Sequence, residues 1–270
     1  GGIATAAAGG SITAASNIVI AVSNGSTGVL NIGRFGTNDS AGSVTTPAIQ
    51  FGAGTGTVNF NQTNSYTLTA AITGTGTVNQ LGSGTTTLSG ASTSFTTLAV
   101  KAGTIRMDVS SGPAVSGSVS VAGGATLLLA AANQVADTAA VTLSGGTIFR
   151  GSGVSEQFGN LTLSADSTLN FGGTAENQFL RYRTLTLNGF VLEVADFLEG
   201  NKLQYDASSY EEGELLAETF EFTDSDARAY SWSEDTFTIE AIPEPSTAAL
   251  VAAAALAGLL WGCMRRRQQG

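Results

Sequence analysis

The fold of this chain is decided by a phrase that reads Val141-Thr-Leu-Ser-Gly-Gly-Thr-Ile-Phe-Arg150 and, one copy later, Leu161-Thr-Leu-Ser-Ala-Asp-Ser-Thr-Leu-Asn170. In each copy aliphatic residues alternate with Ser or Thr, a Gly-Gly or Ala-Asp pair follows, and a second short run closes the phrase. Strict alternation places aliphatic side chains on one face of a β-strand and hydroxyls on the other. The small or polar pair permits a tight turn. The phrase therefore predicts two short strands around a turn.

The phrase recurs at a nearly constant interval. Equivalent aliphatic positions are separated by 21, 22, 20 and 24 residues, and they are Val100, Val121, Leu143, Leu163 and Leu187. One unit cannot bury its aliphatic face alone. When units stack, each strand pairs with the equivalent strand of the next unit, and the aliphatic side chains stack into a buried column. We therefore predict an all-β, right-handed parallel β-helix (β-solenoid) with one turn per ~20 residues. A β-sandwich of hairpins is the alternative, because it also has alternating strands and glycine turns.

The composition narrows the possible functions. The 270 residues include 35 glycines and no histidine, and the single cysteine is Cys263. The missing histidine excludes Ser-His-Asp, Cys-His and histidine-ligated metal mechanisms, and a lone cysteine cannot form an intrachain disulfide. A net charge of −10 argues against nucleic acid, whose phosphates would repel the chain. We expect no cofactor, no bound metal and no nucleic-acid partner.

Acidic residues are concentrated toward the C-terminus, and they mark the organisation of the chain. Only three acids precede Glu156, whereas residues 193–244 hold fifteen acids against two basic residues. We divide the chain into a β-solenoid at 1–186, an acidic capping module at 187–241 and a C-terminal signal at 242–270. The start, Gly1-Gly-Ile-Ala-Thr5, has no initiator Met and no apolar signal core, so we expect further repeats and a signal peptide upstream.

The acidic module is expected to close the solenoid, because the last turn of a repeat protein exposes an apolar face and an open strand edge. Its carboxylates would discourage edge-to-edge aggregation, and Tyr230, Trp232 and Phe237 would supply apolar cover. The predicted elements are a last turn at 191–200 and 202–205, a short helix at 211–218, and final strands at 220–222 and 236–239.

The C-terminal segment has three parts in a fixed order. Pro243-Glu-Pro-Ser-Thr247 comes first, and its two prolines lock the backbone in an extended form. Residues 248–264 follow as seventeen uncharged positions, the short end of what spans a bilayer core of ~30 Å. Arg265, Arg266 and Arg267 then predict a cytoplasmic anchor. We therefore expect one short transmembrane helix at 248–264.

This order of motif, apolar helix and arginine cluster resembles the PEP-CTERM sorting signal of Gram-negative bacteria. The resemblance implies that Pro243, Glu244 and Pro245 are recognised by exosortase, a membrane-embedded transpeptidase, and that the helix and arginines are then discarded. It implies an exported protein, anchored first in the inner membrane and released afterwards to the cell surface or the medium. An ordinary single-pass tail anchor that is never cut is the alternative.

A second resemblance lies in the body of the chain. Phrases such as Tyr66-Thr-Leu-Thr-Ala-Ala-Ile-Thr-Gly-Thr-Gly-Thr-Val78 and Gly82-Ser-Gly-Thr-Thr-Thr-Leu-Ser-Gly-Ala-Ser92 are similar to autotransporter-associated β-strand repeats. The similarity is good over 49–107 and looser elsewhere. It implies a repetitive surface structure.

Candidate chemistry in the body is sparse. Glycine phrases at 52–56 and 74–76 lack the Lys-Ser/Thr of a phosphate loop and are interpreted as solenoid turns. A calcium site would need the oxygen ligands of an acidic cluster, and solvated surface is the favoured reading of the one present, at Asp224, Asp226, Glu234 and Asp235.

Some parallel β-helices process polysaccharides with paired carboxylates. The acids available for that are Glu156, Asp166 and Glu176, which are ten residues apart, about half a turn, and so are expected on different faces. The sequence therefore favours a non-enzymatic, exported bacterial structural or adhesin-like protein of the cell surface or extracellular matrix, with surface glycans or exopolysaccharide as possible partners. A polysaccharide lyase or glycosidase is the alternative.

Overall fold

The computed structural model describes residues 2–34, 39–174, 177–206, 220–222, 227–233 and 236–242. In these ranges the chain is an all-β parallel solenoid of about nine turns, which confirms the predicted β-helix. The sandwich alternative is wrong, because strands of successive turns pair in parallel. The described ranges contain no helix, and so none that is long and apolar enough to cross a membrane. The expected transmembrane helix at 248–264 lies outside these ranges.

The first sheet runs the length of the solenoid and contributes one strand to each turn. Its outward residues are small and polar in the middle of the molecule, and its inward residues are aliphatic. Its strands, in spatial order, are β1 (Gly2–Ala6), β4 (Thr27–Ile32), β7 (Thr55–Phe60), β9 (Ala71–Gln80), β11 (Ser94–Val100), β13 (Val115–Ala122), β15 (Ala140–Ser144), β18 (Leu161–Ala165) and β21 (Leu185–Thr186), with β3 (Ile18–Ile20) and β6 (Ala48–Phe51) attached beside them.

The second sheet forms another face of the solenoid, and all its strands are parallel. Its strands are β8 (Tyr66–Leu68), β10 (Thr85–Leu88), β12 (Thr104–Met107), β14 (Thr126–Leu129), β16 (Thr147–Arg150), β19 (Ser167–Asn170), β22 (Leu192–Ala195) and β24 (Phe220–Phe222). In the first two turns, the described residues of this face form the pair β2 (Ser11–Thr13) and β5 (Ser43–Thr45).

A third face carries the remaining strands, and the two-strand unit predicted from sequence is therefore incomplete. In early turns this face is formed by β3, by β6 and by the first residues of β9, β11 and β13, each of which then bends onto the first sheet. Val115 and Val135 form a single bridge there. In late turns the face is a separate sheet of β17 (Glu156–Phe158), β20 (Phe179–Tyr182), β23 (Lys202–Asp206), β26 (Thr236–Ile242) and β25 (Ala227–Ser233).

The core is a set of aliphatic columns inside the turns. Four of the five positions aligned by sequence pair in one register, since Val100 pairs with Val121, Val121 with Leu143, and Leu143 with Leu163. All four are fully buried, and burying such a side chain stabilises the fold by about 1.5–3 kcal/mol. Leu187 follows the end of β21 and is only partly buried, so the fifth position is outside the paired register.

At the C-terminal end the strand pairing changes from parallel to antiparallel. A solenoid turn at the predicted position of the last turn is confirmed, because β22 pairs in parallel with β19 and β23 with β20, and one further strand of the second sheet follows it. The predicted final strands are confirmed as β24, which continues the second sheet, and β26, which pairs antiparallel with β23 and with β25. The predicted helix at 211–218 lies outside the described residues, and the structure describes only the backbone of Tyr230, Trp232 and Phe237.

Candidate functional surface

The outer face of the first sheet carries an asparagine ladder. Asn31, Asn59 and Asn79 lie in register on β4, β7 and β9, and all three are half-buried. The Nδ2 of Asn59 donates to the Oδ1 of Asn31 at 2.9 Å, and the Nδ2 of Asn79 donates to the Oδ1 of Asn59 at 2.8 Å. The parallel register brings these amides within reach, because neighbouring strands are about 4.8 Å apart. The ladder is therefore a row of hydrogen-bonded amides on the outer face of the sheet.

The outer face of the second sheet carries a longer threonine column. Five half-buried threonines occupy one register position on five consecutive strands, and they are Thr85, Thr104, Thr126, Thr147 and Thr168. The column ends at an acid, since Thr168 pairs with Glu193 and donates its hydroxyl to Glu193 Oε2 at 3.0 Å. The solenoid therefore presents an evenly spaced row of uncharged hydroxyl and methyl groups.

Glu156 does not face solvent. It lies on β17, is 1% exposed, and its two carboxylate oxygens accept hydrogen bonds from the backbone N–H groups of Gln134 (2.8 Å) and Val135 (3.1 Å). The carboxylate thus occupies the position that a neighbouring strand's carbonyls would take on the third face. Burial raises the pKa of Glu156 to about 7, against the lowering effect of the hydrogen bonds from Gln134 and Val135.

The carboxylates weighed for the enzyme alternative do not form a pair in the part of the chain that can be described. Asp166 lies at the exposed corner between β18 and β19, where its Oδ1 accepts from the backbone N–H of Val191 at 2.8 Å. Glu156 is on the third face, so these two acids lie on different faces, as the ten-residue spacing predicts. Glu176 lies outside the described residues. Glu156 and Asp166 are both engaged with backbone N–H groups.

Arg150 is a buried cation that the sequence analysis did not single out. It ends β16 at an inward position aligned with Leu129, and it is fully buried. Its guanidinium donates to the carbonyl of Val154 at 3.1 Å, to that of Phe171 at 2.7 Å and to Asn201 Oδ1 at 2.9 Å. The guanidinium carbon is 5.4 Å from the centroid of the Phe171 ring, within range of a cation–π interaction. The sequence signal was an arginine at an inward register position.

Two of the glycines interpreted as turns lie inside strands. Gly56 on β7 and Gly76 on β9 pair in register, and a Cβ on either glycine would overlap the ring of Phe51. Phe51 is 3% exposed and fills the corner between the third face and the first sheet. These glycines are therefore required for the close approach of an aromatic ring, and a phosphate-binding role has no support from their position.

Several predicted sites lie outside the described residues. These are the sorting motif Pro243, Glu244 and Pro245, the anchor Arg265, Arg266 and Arg267, and the acidic cluster Asp224, Asp226, Glu234 and Asp235. Among the residues that are described, no group of three or more Asp, Glu or Cys side chains is arranged to hold a metal ion.

A groove of about 480 Å³ lies at the N-terminal end and is lined mainly by apolar and small residues of β1, β3 and β4. A groove of about 280 Å³ at the other end is lined by Asp166, Glu193 and Glu221 among others. Neither brings together a nucleophile, a base and an oxyanion donor.

Comparison with known proteins gives no match: no family model, no curated protein and no solved structure is significantly similar to this chain.

Proposed function

We propose that this chain is a structural or adhesin-like protein of a bacterial cell surface or extracellular matrix, without catalytic activity of its own. The observation that carries the proposal is the pair of uncharged outer ladders, the asparagine row on the first sheet and the threonine column on the second. Repeated hydroxyl and amide groups on a stiff scaffold suit contact with an extended, hydroxyl-rich polymer, so surface glycans or exopolysaccharide are the proposed partners.

The C-terminal signal supports the location. We propose that Pro243, Glu244 and Pro245 are the recognition motif of an exosortase, and that residues 248–264 form a helix held in the inner membrane by Arg265, Arg266 and Arg267. Cleavage near the motif would release the solenoid to the outside. The right-handed sense of the β-helix belongs to the same proposal, since right-handed crossovers are the rule between parallel strands.

The experiment is mass spectrometry of the C-terminal peptide from surface and secreted material of the native organism. We expect a terminus near Pro243, with residues 248–267 absent. A peptide intact through Arg267 in that material would contradict sorting and leave a permanent anchor.

The residue requirement can be tested by matched variants in the same organism. Pro243→Ala combined with Pro245→Ala is expected to leave the tail uncut, because the extended, rigid motif is lost. Gln268→Ala, which lies beyond both the motif and the arginines, is the control and should be processed normally. Equal processing of both variants would contradict recognition of the motif.

The surface role needs its own measurement, which is binding of the full chain to exopolysaccharide purified from the same organism. Lysine substitutions in the threonine column, Thr126→Lys with Thr147→Lys, should weaken binding to a neutral glycan by roughly tenfold, because they break the uncharged row. Unchanged binding would locate the contact elsewhere. Hydrolysis of the glycan that is lost in Asp166→Asn would instead support the enzyme alternative.

A further inference from the structure

The outer face of the second sheet carries an aromatic side chain beside the threonine column. In β16 the side chains of Ile148 and Arg150 are buried, so Thr147 and Phe149 point outward, and both are half-buried. The other outward residues of β10, β12, β14, β16 and β19 are Thr, Arg, Leu and Asn. Phe149 therefore belongs to a second outward row, which runs parallel to the threonine column at a distance of about 6.6 Å.

The neighbours of Phe149 in this row are uncharged. Phe149 pairs in register with Leu128 on β14 and with Asn170 on β19, so the strands that carry these side chains are about 4.8 Å apart. The Cε1 and Cζ atoms of the Phe149 ring lie 3.5 Å from the place that a Cβ would take at Gly172, which follows β19 in the next turn. The ring therefore extends along the solenoid toward the next turn and remains partly exposed.

Charged side chains border this region without entering it. On one side Arg106 forms an ion pair with Asp108 at 3.1 Å. On the other side Glu193 accepts the hydroxyl of Thr168, and Asp196 accepts from the Nδ2 of Asn170 at 2.8 Å. The uncharged outward residues between these borders, named here the Phe149 platform, are Thr126, Leu128, Thr147, Phe149, Thr168 and Asn170. In a chain with a net charge of −10, an uncharged platform suits a neutral ligand, because an acidic ligand would be repelled.

The size of the Phe149 platform favours a glycan over a protein as its occupant. The platform spans three strands and two rows, or about 10 Å by 7 Å, whereas a stable protein interface buries about 800 Å² on each partner. A pyranose ring has an apolar C–H face, which packs on an aromatic ring, and a rim of hydroxyls, which bond polar side chains. Phe149 and Leu128 offer the apolar contact, and Thr126 and Thr147 offer hydroxyls in the adjacent row.

We propose that the Phe149 platform is a sugar-binding site for a neutral polysaccharide, with one pyranose ring stacked on Phe149 and its hydroxyls bonded to the threonine column. The inference rests on the proposed function, which it narrows from glycans in general to neutral ones and to one face of the molecule. The threonine column continues from Thr126 to Thr104 and Thr85, so a polysaccharide that lies along the solenoid meets further hydroxyls on neighbouring turns.

The experiment measures binding of the full chain, in detergent micelles, to exopolysaccharide of the native organism that anion exchange has separated into a neutral and an acidic fraction. The test variant is Phe149→Ala, and Phe149→Tyr keeps the aromatic ring. Phe179→Ala is the matched control, because Phe179 is also a half-buried phenylalanine at an outward strand position, but on β20 of the third face. Circular dichroism establishes that all four proteins are folded.

We expect the wild type and Phe179→Ala to bind the neutral fraction equally, Phe149→Ala to raise the dissociation constant at least about tenfold, and Phe149→Tyr to restore most of the binding. If Phe149→Ala and Phe179→Ala bound the neutral fraction alike, this inference would be overturned and the proposed function would stand. Binding confined to the acidic fraction would have the same consequence. A wild type that binds neither fraction would overturn both this inference and the proposed glycan partner.

Discussion

The interior of the solenoid is filled in different ways at two of its corners, by an aromatic ring at one and by charged side chains at the other. Between β6 and β7, the ring of Phe51 fills the corner, and the strands that pass the ring carry glycine at positions 56 and 76, where a Cβ would overlap it. Between β16 and β17, the interior holds Arg150 and Glu156, both almost wholly buried, and each bonds backbone groups of adjacent turns. The first corner is filled by the packing of an aromatic ring, whereas the second is held together by hydrogen bonds of two charged side chains.

The difference follows from how regular the turns are. Beside Phe51, β7 pairs in register with both β4 and β9, so these strands hydrogen-bond each other and the ring fills the remaining space. On the third face, a single bridge joins Val115 to Val135, and the N–H groups of Gln134 and Val135 bond the side chain of Glu156 on β17. Buried N–H groups must be satisfied, and here the carboxylate takes the role that a backbone carbonyl has in a regular strand pair. Irregular turns therefore need buried polar side chains.

The aromatic corner should respond most strongly to substitution. Phe51→Ala removes a ring that is 3% exposed and leaves a cavity bounded by glycines, which have no side chains to fill it. We expect the free energy of unfolding to fall by about 3–5 kcal/mol. The measurement is urea denaturation followed by circular dichroism. Phe149→Ala is the control, because Phe149 is a partly exposed residue on the outer face of β16, and a loss below about 1.5 kcal/mol is expected there. Equal losses would show that the corner is not a special packing site.

The polar corner should instead respond to pH. The pKa of Glu156 is raised above its ordinary value of 4.5 to about 7 in the folded protein by burial. A raised pKa means that the protonated acid favours the folded state, so this contribution is complete below about pH 4.5 and is lost as the pH rises through 7. We expect the free energy of unfolding to lose about 3 kcal/mol from this group between pH 4 and pH 8.

Glu156→Gln isolates that contribution, because the amide cannot ionise. Urea denaturation at several pH values should give a wild-type stability that falls, relative to the variant, across the interval from pH 4.5 to pH 7. Parallel pH profiles would mean that the pKa of Glu156 in the folded protein is not raised above its ordinary value. A uniformly lower stability of Glu156→Gln at low pH is also expected, since its –NH₂ group faces a backbone N–H and leaves it unsatisfied, at a cost of about 1–3 kcal/mol.

The regular part of this molecule was predictable from sequence and the irregular part was not. The columns through Val100, Val121, Leu143 and Leu163 follow from the period of the phrase, because in-register stacking repeats one side-chain environment in every turn. The third strand of the late turns was missed, since segments such as β17 are short and carry a buried acid where alternation predicts an apolar residue.

The role of the glycines was missed for a related reason. A glycine that turns the chain and a glycine that makes room for a distant ring look the same in one sequence. Gly56 is close in sequence to Phe51, but Gly76 reaches the same ring from the following turn, and only the stacking register relates the two. The sequence predicted that the outer faces are polar, but not which residues form the asparagine and threonine ladders. The alignment depends on the exact length of each turn, and the repeat period gives that length only approximately.

The smallest expected effect tests the space around Phe51 from the other side. In Gly76→Ala the new Cβ overlaps the Phe51 ring, which cannot withdraw because Gly56 packs on it as well. We expect a loss of about 1–3 kcal/mol in the free energy of unfolding, measured by urea denaturation. Gly2 pairs with Gly28, which pairs with Gly56 and through it with Gly76, but a Cβ at Gly2 would have nothing within 4 Å. Gly2→Ala should therefore be neutral or slightly stabilising, because alanine restricts the unfolded chain. In a Phe51→Ala background the cost of Gly76→Ala should vanish, since the atoms it collides with are gone. If the cost persisted there, glycine would be required by the backbone conformation of β9 and not by the Phe51 ring. The ring would then not be the reason why these strands carry glycine.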